Sequence, residues 1–487
     1  MSDILFVNPP IPGPPEERAF STNAPPLGIG YLAAILREEG YDVAAIDLAF
    51  AADPLAELTA AMNAHDPRIV GFYTSTVSYY NTLRLHEVVR SMSDAKTWVG
   101  GPHVSYEYED ALARGGFDVV FLFEAEHSAP EVARAQLRGD GDLAQIGGIA
   151  WRQGNGIVKT APRAREKALD RFPFPARDLF PMSEYTRPGT IMSSRGCPMK
   201  CIFCIASTFE DSYRYRSPEN VVRELREMYT RWGISDFYLI DNVFTTHRQR
   251  AREIARLIRE ADLPIGFYCV SRVDYATPAL MQHLASAGCY RIELGVESAS
   301  ASVIDSIRKR IRIDQVYRAA DIILNLGMQP MFTFQVGHPA DTLETIEETL
   351  DLAQQLRNRG AGTYLAITTP YPGSPMWIDR EKYGMTMETS NWEDFRWSNP
   401  TFRTAAFTPN DLRRAVYRDA IRVDHDVRAG KIRDPQAAPW LRFRPGAPPL
   451  RLPPPPQQDD IAPLPMAPRQ ADAPDAASAL PILQVSR

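Results

Sequence analysis

The sequence contains two successive series of alternating strand and helix signals, and this alternation restricts the chain to α/β folds. Short apolar runs such as Ile4-Leu-Phe-Val-Asn8 are separated by amphipathic segments such as Leu27 to Glu39, which ends at Gly40. Strands joined by single helices pair in parallel, so the first series predicts an open, doubly wound, Rossmann-like sheet. Ligands of such sheets bind beyond the carboxyl ends of the strands.

The second series predicts a partial (β/α)6 barrel, a TIM-like arrangement with fewer strands than a closed barrel needs. The expected divisions are a first domain at 1–150, a linker at 151–186, the barrel at 187–385, a short helical region at 386–434 and a Pro-rich tail at 435–487. A hairpin between Gly148 and Lys159 is expected to close the first domain. We expect the tail to be disordered because it has too little periodic apolar sequence to offset its ordering entropy.

Composition restricts the partners and the compartment. A net charge of -6 disfavours a general nucleic-acid binder, which needs a basic surface for phosphates. No apolar run is long enough to span a membrane, and the N-terminal residues lack the pattern of a secretory signal. Five cysteines in 487 residues are too few for a disulfide scaffold. We therefore expect a cytoplasmic protein with no membrane span.

Three cysteines, Cys197, Cys201 and Cys204, directly follow the first strand of the predicted barrel in the spacing C-x3-C-x2-C. Barrel active sites lie at the carboxyl ends of the strands, so this loop is expected at the catalytic mouth. Thiolates favour soft metals and iron–sulfur clusters, and three ligands on a cubane leave one iron open. Structural zinc, which finds no fourth Cys or His close in sequence, and a chance group of buried cysteines are the alternatives. Cys269 and Cys289 are interpreted as core residues.

The cysteine motif resembles that of the radical S-adenosylmethionine (SAM) enzymes, with Phe203 at the aromatic position before the last cysteine. The likeness continues along the barrel through Asp241-Asn-Val-Phe244, Ser271-Arg-Val-Asp274, Glu293 to Ser300 and Thr369 to Pro375. It implies a 4Fe-4S cluster on the three cysteines and SAM chelating the open iron. It also implies reductive cleavage of SAM to a 5'-deoxyadenosyl radical that takes hydrogen from the substrate.

The same resemblance implies which side chains contact SAM. The candidates are Phe203, Asp241, Asn242, Arg272, Glu297 and Gln335. Phe203 matches a position near adenine, Asp241 and Asn242 match the site of the SAM amino group, and Glu297 matches a position near the ribose. Arg272 is a candidate for the SAM carboxylate or a substrate acid. For each polar residue a solvated or capping role is the alternative.

The fifth barrel strand ends in a departure from the family. Where the family often has Gly-Leu-Pro-Gly-Glu after Gln335, this chain has Gly337-His-Pro-Ala-Asp341. His338 could therefore be a surface loop residue.

The first domain resembles the cobalamin-binding domain that precedes many radical SAM barrels, on the segments Pro25 to Val43 and Gly100-Gly-Pro-His103. The cobalamin candidates are Thr74, Ser75, Thr76, Gly100, Gly101 and His103. Small and hydroxyl residues there would let a corrin approach the backbone closely.

Two family patterns are missing from this domain. The Asp-x-His-x-x-Gly sequence that supplies a histidine to cobalt is absent, and Phe121-Leu-Phe-Glu124 departs from the Arg-Gly-Glu-Gly-Glu sequence common there. Either cobalamin is bound with no histidine below cobalt, or the domain has lost the cofactor and is a scaffold.

Together the two domains resemble the cobalamin-dependent (class B) radical SAM enzymes. The leading hypothesis is a C-methyltransferase that acts on an unactivated carbon of a small molecule or natural-product intermediate. The alternatives are oxidation, cyclisation or rearrangement without methyl transfer, as in the anaerobic porphyrin-ring cyclase, and a cluster-bearing scaffold or regulator without turnover. The expected partners are a small-molecule substrate and a reducing protein such as flavodoxin or ferredoxin.

Aromatic residues are frequent after the barrel. We interpret them as packing core rather than as a substrate pocket. They are Tyr371, Trp377, Trp392, Phe395, Trp397 and Phe402.

Overall fold

The structure is a computed structural model that describes residues 2–13, 24–209, 212–428 and the backbone of 482–484. The first domain is built on one sheet, and its strands are β1 Ile4–Asn8, β2 Val43–Asp47, β3 Ile69–Tyr73, β4 Lys96–Gly100, β5 Val119–Phe121, β6 Ile149–Gln153 and β7 Gly156–Lys159. Strands β2, β1, β3, β4 and β5 lie side by side in that order and run parallel. The hairpin β6–β7 continues the sheet in antiparallel fashion beyond β5.

Helices cover both faces of this sheet, which confirms the predicted doubly wound arrangement. They are α1 Leu27–Glu38, α2 Pro54–His65, α3 Tyr79–Met92, α4 Tyr108–Asp110 and α5 Ser128–Ala133, the last two continued by π-helical segments Ala111–Gly115 and Arg134–Arg138. Strands β1 and β3 are apolar and buried along almost their whole length, as parallel strands covered on both faces must be. The Asp53 side chain and Pro54 start α2, since the carboxylate accepts hydrogen bonds from free backbone N–H groups.

The second domain contains a six-stranded, wholly parallel sheet in the order β8, β11, β12, β13, β14, β15. Its strands and the short strands near it are β8 Thr190–Ile191, β9 Ser194–Arg195, β10 Arg214–Tyr215, β11 Asp236–Leu239, β12 Gly266–Ser271, β13 Cys289–Glu297, β14 Gln329–Val336, β15 Gly362–Ile367, β16 Thr386–Met387 and β17 Phe402–Arg403. These six parallel strands confirm the partial (β/α)6 barrel expected from sequence.

The helices of the second domain pack on the outside of the barrel. They are α6 Ala206–Phe209, α7 Pro218–Trp232, α8 Arg248–Glu260, α9 Pro278–Ala285, α10 Ala301–Ser306, α11 Ile313–Asn325, α12 Leu343–Asn358, α13 Pro375–Ile378 and α14 Pro409–Arg428. Single 3-10 turns lie at Leu143–Gln145, Leu169–Arg171, Arg177–Leu179, Phe244–Thr246, Val273–Tyr275 and Trp392–Asp394. One apolar core joins the inner faces of these helices to the outward side chains of the strands.

The segment expected as a linker is attached to the first domain. The sheet runs on to Lys159, so the boundary expected at residue 150 lies inside the hairpin β6–β7. Ala176, Phe180 and Tyr185 contribute to the core of the first domain. The Tyr185 hydroxyl also donates a hydrogen bond of 2.6 Å to Asp47 at the end of β2.

Most of the predicted disordered tail lies outside the described residues. Within it, the structure describes one short strand, β18 Ile482–Gln484, which pairs in parallel with β7. No helix in the described segments is long and apolar enough to cross a membrane.

Candidate active site

The three cysteines lie on the loop between β9 and α6, at the carboxyl end of the first barrel strand. Cys201 is buried, Cys197 and Cys204 are half-buried, and all three are free thiols. The backbone N–H of Cys204 donates to the carbonyl of Cys201 over 3.3 Å. Gly196 precedes the loop with φ +83°, and a Cβ there would overlap the Ser212 carbonyl, so only glycine fits this turn. Cys269 and Cys289 are core residues, as predicted.

Burial and a nearby cation act in opposite directions on the pKa values of Cys201 and Cys204. Burial raises the pKa of Cys204 to about 11 and raises that of Cys201, while the positive charge of Lys309 acts against both shifts. Among the described residues, no three His, Cys, Asp or Glu side chains are grouped as ligands of a single metal ion. The thiolates of a cubane bind different irons, so they need not converge on one point.

Both carboxylate oxygens of Asp241 accept hydrogen bonds from Ser193 and Ser194, at the corner between the first barrel strand and the cysteine loop. Its Oδ1 accepts hydrogen bonds from the backbone N–H groups of Ser193 (2.7 Å) and Ser194 (2.9 Å). Its Oδ2 accepts from the hydroxyls of the same two residues at 2.6 and 2.7 Å. Asp241 therefore fixes the backbone that leads into the cysteine loop, and Asn242 beside it is exposed.

Glu297, Lys309 and Gln335 form a hydrogen-bonded set at the carboxyl ends of β13 and β14. Lys309 Nζ lies 2.6 Å from Glu297 Oε1, and Gln335 Nε2 donates to Glu297 Oε2 over 3.0 Å. The buried Arg272 donates to the Lys309 carbonyl (3.1 Å) and pairs with Asp274. Three of the predicted SAM residues therefore meet at one place. Lys309 was not among the residues expected from sequence, because it stands between two other cations, Arg308 and Arg310, and no motif marks it.

His338 is buried, which excludes the surface position considered from sequence. Its ring lies 5.3 Å from the ring of Phe203, and its Nδ1 is 3.3 Å from the Thr368 hydroxyl. Nε2 has no hydrogen-bond partner among the described residues. Burial, with the charge of Lys309, lowers the pKa of His338 to about 3, so the imidazole is neutral.

The cobalamin candidates lie on two neighbouring loops at the carboxyl edge of the first sheet. The side chains of Thr74 and Thr76 are buried, whereas Ser75, Gly100 and Gly101 are partly exposed. Gly101 has φ +122°, and a Cβ there would overlap the carbonyl of Thr74, so glycine lets the two loops touch.

His103 lies behind these loops. Its Nδ1 is 3.3 Å from the Thr76 hydroxyl, and its ring packs between Tyr79 and Trp392. The Nε2 atom is buried without a partner among the described residues, and burial lowers the pKa of His103 to about 3. An orphaned nitrogen at this edge is what a polar group of a ligand would satisfy.

The strand-end loops of the two domains pack against each other. Tyr106, just after the β4 loop, donates a hydrogen bond of 3.0 Å to Thr208 in α6, and Thr208 donates to the Gly373 carbonyl over 2.6 Å. Trp392, from the region after the barrel, contacts His103 of the first domain at a ring distance of 5.0 Å. The two edges that carry the candidate cofactor residues are therefore neighbours.

A buried ionic cluster also joins the domains at the stem of the cysteine loop. Arg195 and Arg214 stand opposite each other in the pair β9–β10. Glu126 of the first domain lies 2.6 Å from Arg195, and Glu124 pairs with both arginines. Burial opposes ionisation of Glu124, but Arg214 and Arg195 outweigh it and lower its pKa. This cluster was not expected from sequence, since nothing local links residues so far apart.

The aromatic residues after the barrel are mainly packing groups. Phe395 and Phe402 are fully buried, which confirms their interpretation as core. Trp377 and Trp392 both contact Phe395. Trp397 is 37% exposed and is not core.

This architecture defines a radical SAM barrel preceded by a cobalamin-binding domain. Residues 191–353 match the radical SAM superfamily, and residues 19–133 match the B12 binding domain family. A Pyrococcus horikoshii protein named as an uncharacterized methyltransferase is 30% identical over 416 residues, which cover 84% of this chain and 89% of that protein. The chain belongs to the cobalamin-dependent radical SAM enzymes, the family that includes such methyltransferases, and the cofactors of this family are a 4Fe-4S cluster, SAM and cobalamin.

Two further similarities are informative. The anaerobic magnesium-protoporphyrin IX monomethyl ester cyclase of Rubrivivax gelatinosus is 27% identical over 426 residues, 84% of this chain and 75% of that protein. The structure of the radical SAM methyltransferase TsrM from Kitasatospora setae, with cobalamin and a 4Fe-4S cluster bound, superposes with a TM-score of 0.67 at 21% identity. That match covers 80% of this chain and 81% of TsrM, and it shows a shared fold.

The described residues fit these groups. Three free thiols on one loop beside a buried cation suit a cluster, whose thiolate ligands carry negative charge. The carboxylate of Glu297 is held between Lys309 and Gln335 at the strand ends, where SAM would lie. The unpartnered Nε2 of His103 and the close loops at Gly101 suit the polar periphery of a corrin.

Proposed function

We propose that this chain transfers a methyl group from SAM to an unactivated carbon of a small molecule, with cobalamin as the methyl carrier. The observation that carries the proposal is the meeting of the two strand-end edges, where Tyr106 of the cobalamin domain bonds Thr208 beside the cysteine loop. Cofactors held at these edges would face one shared space, as two linked chemical steps require. When bound, the cluster supplies the electron that cleaves SAM and cobalamin supplies a carrier for methyl.

The residues of the barrel have distinct roles in this proposal. Cys197, Cys201 and Cys204 hold the cluster. Glu297 accepts hydrogen bonds from the SAM ribose, because Lys309 and Gln335 already fix its carboxylate in one orientation. Arg272 is anchored through Asp274 and the Lys309 carbonyl, and it holds the SAM carboxylate.

The remaining candidates of the barrel position SAM or shield it from water. Asp241 has all its hydrogen bonds within the loop corner, so it is a positioning residue, and the exposed Asn242 is the residue of that turn that binds the SAM amino group. Phe203 and His338 form an apolar wall that would exclude water from the adenine.

The cobalamin candidates of the first domain fall into an accessible group and a buried, supporting group. Ser75, Gly100 and Gly101 are the accessible groups that a corrin would meet. Thr74 and Thr76 are buried and support these loops. The Thr74 hydroxyl accepts a hydrogen bond from Thr82, and the Thr76 hydroxyl orients His103. His103 then offers Nε2 to a polar group of the cofactor.

The deciding experiment uses reconstituted holoenzyme and SAM with a fully deuterated methyl group. Small-molecule extracts from cells that lack this protein serve as the substrate pool. The proposal predicts a product that carries an intact deuterated methyl group, formed together with 5'-deoxyadenosine. Products without label, formed while SAM is still cleaved to 5'-deoxyadenosine, would contradict methyl transfer.

A second candidate is cyclisation or rearrangement without methyl transfer. It is favoured by the likeness to the Rubrivivax gelatinosus cyclase, which spans 84% of this chain. The same experiment separates the two, because an unlabelled but altered product supports this second reaction.

The cleavage of SAM needs one external electron for each radical formed. We propose that a low-potential carrier such as flavodoxin or ferredoxin supplies it and that the reaction takes place in the cytoplasm. The substrate is a small molecule rather than a nucleic acid, in keeping with the net charge of -6.

A further inference from the structure

The segment between α10 and α11 alternates between buried and exposed side chains. Ile307, Lys309 and Ile311 are buried, whereas Arg308 and Arg310 are exposed. The guanidinium groups of Arg308 and Arg310 have no ion-pair or hydrogen-bond partner in the part of the chain that the structure describes. This places two free cations side by side on the surface of a chain whose net charge is -6.

Both arginines have an unusual backbone conformation. The φ angles of Arg308 and Arg310 are 59° and 57°, in the left-handed region that disfavours residues with a Cβ. An L residue is strained in this region, and glycine would relieve the strain. The turn therefore holds both arginine side chains on the outer side of the segment, whereas Lys309 between them is buried.

The segment is in direct contact with the cysteine loop. The backbone N–H of Ile202 donates to the Ile307 carbonyl over 3.2 Å. The Cys201 thiol lies 4.0 Å from the Arg308 carbonyl, within hydrogen-bond reach for sulfur. One peptide unit thus links the exposed Arg308 side chain to a proposed cluster ligand.

A third exposed cation precedes Cys201, the residue whose thiol lies beside the Arg308 carbonyl. Lys200 is exposed immediately before Cys201, and its Nζ donates to the Ser207 carbonyl over 3.2 Å. The nearest acidic side chain along the segment is that of Asp305, which is exposed on α10. Between Asp305 and Asp314 the segment carries four cations, Arg308, Lys309, Arg310 and Arg312, and no acidic residue.

We propose that Arg308, Arg310 and Lys200 form the docking surface for an acidic protein that delivers single electrons to the cluster. The proposal rests on the proposed function, because cleavage of SAM consumes one electron. In each encounter the carrier is oxidised by one electron and the cluster is reduced by one, and that electron is then spent in breaking a carbon–sulfur bond of SAM. Charge attraction suits such a partner, since redox encounters are small, brief and steered by electrostatics.

The test compares two sources of electrons in the same holoenzyme. The double variant Arg308→Glu/Arg310→Glu is assayed for 5'-deoxyadenosine formation with reduced flavodoxin and, separately, with dithionite, a small reductant that needs no docking surface. The matched control is Arg226→Glu, which reverses an exposed charge on α7, away from the loop. We expect the KM for flavodoxin to rise at least about tenfold in the double variant. The dithionite rate and the control should stay at the wild-type level.

Direct binding gives a second readout that does not depend on turnover. Calorimetric titration of flavodoxin into wild-type holoenzyme should show an affinity that falls steeply with added salt, and the double variant should lose at least about tenfold in affinity. The milder variant Arg308→Gln/Arg310→Gln, checked for wild-type iron content, should show an intermediate loss.

Each contrary result has a distinct meaning. An unchanged flavodoxin KM and an unchanged affinity in the double variant would overturn the docking surface while leaving the proposed function intact. Equal loss with dithionite and flavodoxin would also overturn it, because the arginines would then act on the cluster itself. If neither flavodoxin nor dithionite drives SAM cleavage in wild type, the proposed function fails, and the binding titration alone decides whether the surface docks flavodoxin.

Discussion

Lys309 and Glu297 form a buried ion pair next to the cysteine loop, with Nζ and Oε1 2.6 Å apart. Glu297 holds a φ of 74° where β13 is irregular, and a Cβ on Gly295 would collide with both charged groups. The same ammonium group opposes the rise in the pKa of Cys201 and Cys204. One cation therefore connects the proposed ribose-binding carboxylate to the proposed cluster ligands.

Replacing Lys309 with Met should impair both SAM binding and the cluster. Glu297 would be left buried without its counter-ion, and breaking such a pair costs about 3 kcal/mol or more. We expect the Kd for SAM to rise at least about tenfold, because the carboxylate loses its fixed orientation. The midpoint potential of the cluster, followed by electron paramagnetic resonance, should become more negative as a neighbouring positive charge is lost.

The matched control for this change is Lys309→Arg. It keeps the charge and should retain a potential close to wild type, even if its shape weakens SAM binding. A Lys309→Met enzyme with wild-type potential and wild-type SAM affinity would show that the ion pair serves the barrel fold alone.

Glu126→Gln should weaken the attachment between the domains at the stem of the cysteine loop. It leaves Arg195 buried without its closest carboxylate, at a cost of about 3–5 kcal/mol in the free energy of unfolding. Glu131→Gln is the control, since its pair with Arg163 is partly exposed and should contribute less than about 1 kcal/mol. Denaturant unfolding of the two apoproteins compares them, and equal losses would argue against the ionic attachment.

Acid should destabilise the first domain through His86. Burial lowers the pKa of this histidine to about 4 from 6.5, so the unfolded chain binds a proton that the folded one rejects. The folded state therefore keeps its full stability above pH 6.5 and loses stability as the pH falls towards 4. The loss in the free energy of unfolding is about 2 kcal/mol at pH 5. His86→Gln should reduce the difference in unfolding free energy between pH 7.5 and pH 5. These two pH values lie about one unit or more on either side of 6.5, the ordinary pKa of histidine.

The control for this pH dependence is His283→Gln, an exposed histidine on α9. It should leave the slope of unfolding free energy against pH as in wild type. If both variants keep the wild-type slope, burial of His86 does not govern the acid response of this domain.

Cys201→Ala should abolish binding of the cluster, because two thiolates on the loop are too few to retain it. Cys269→Ala is the control, since that thiol is buried in the barrel core and is not part of the cysteine loop. Iron content and the visible absorbance of the reconstituted proteins distinguish them. Wild-type iron in Cys201→Ala would remove this residue from the ligand set.

Much of the fold could be predicted from sequence because its signals are local. Buried apolar strands such as Ile4–Asn8 alternate with amphipathic helices such as Leu27–Glu38, which was expected to run from Leu27 to Glu39. The six barrel strands and the position of the cysteine loop follow from the same alternation. The comparisons confirm the two-domain family that the motifs indicated.

The parts of the site that depend on tertiary contacts could not be predicted. Glu126 and Arg195 meet only when the domains dock, and Lys309 reaches Glu297 only through the strained turn at Arg308 and Arg310. Asp241 matched a SAM-binding position by motif, yet its carboxylate is filled by hydrogen bonds from Ser193 and Ser194. A motif gives the location of such a residue, whereas its hydrogen-bond partners are known only from the folded chain.

The central claim is that one chain holds a cluster and cobalamin at adjoining edges. The most direct test is the iron, sulfide and cobalt content of anaerobically purified protein after reconstitution with iron, sulfide and cobalamin. We predict about four irons and one cobalt for each chain, with the visible absorbance of both groups. Iron without cobalt, even with cobalamin in excess, would contradict the claim and would leave the first domain as a scaffold for a barrel that cannot carry methyl groups in this way.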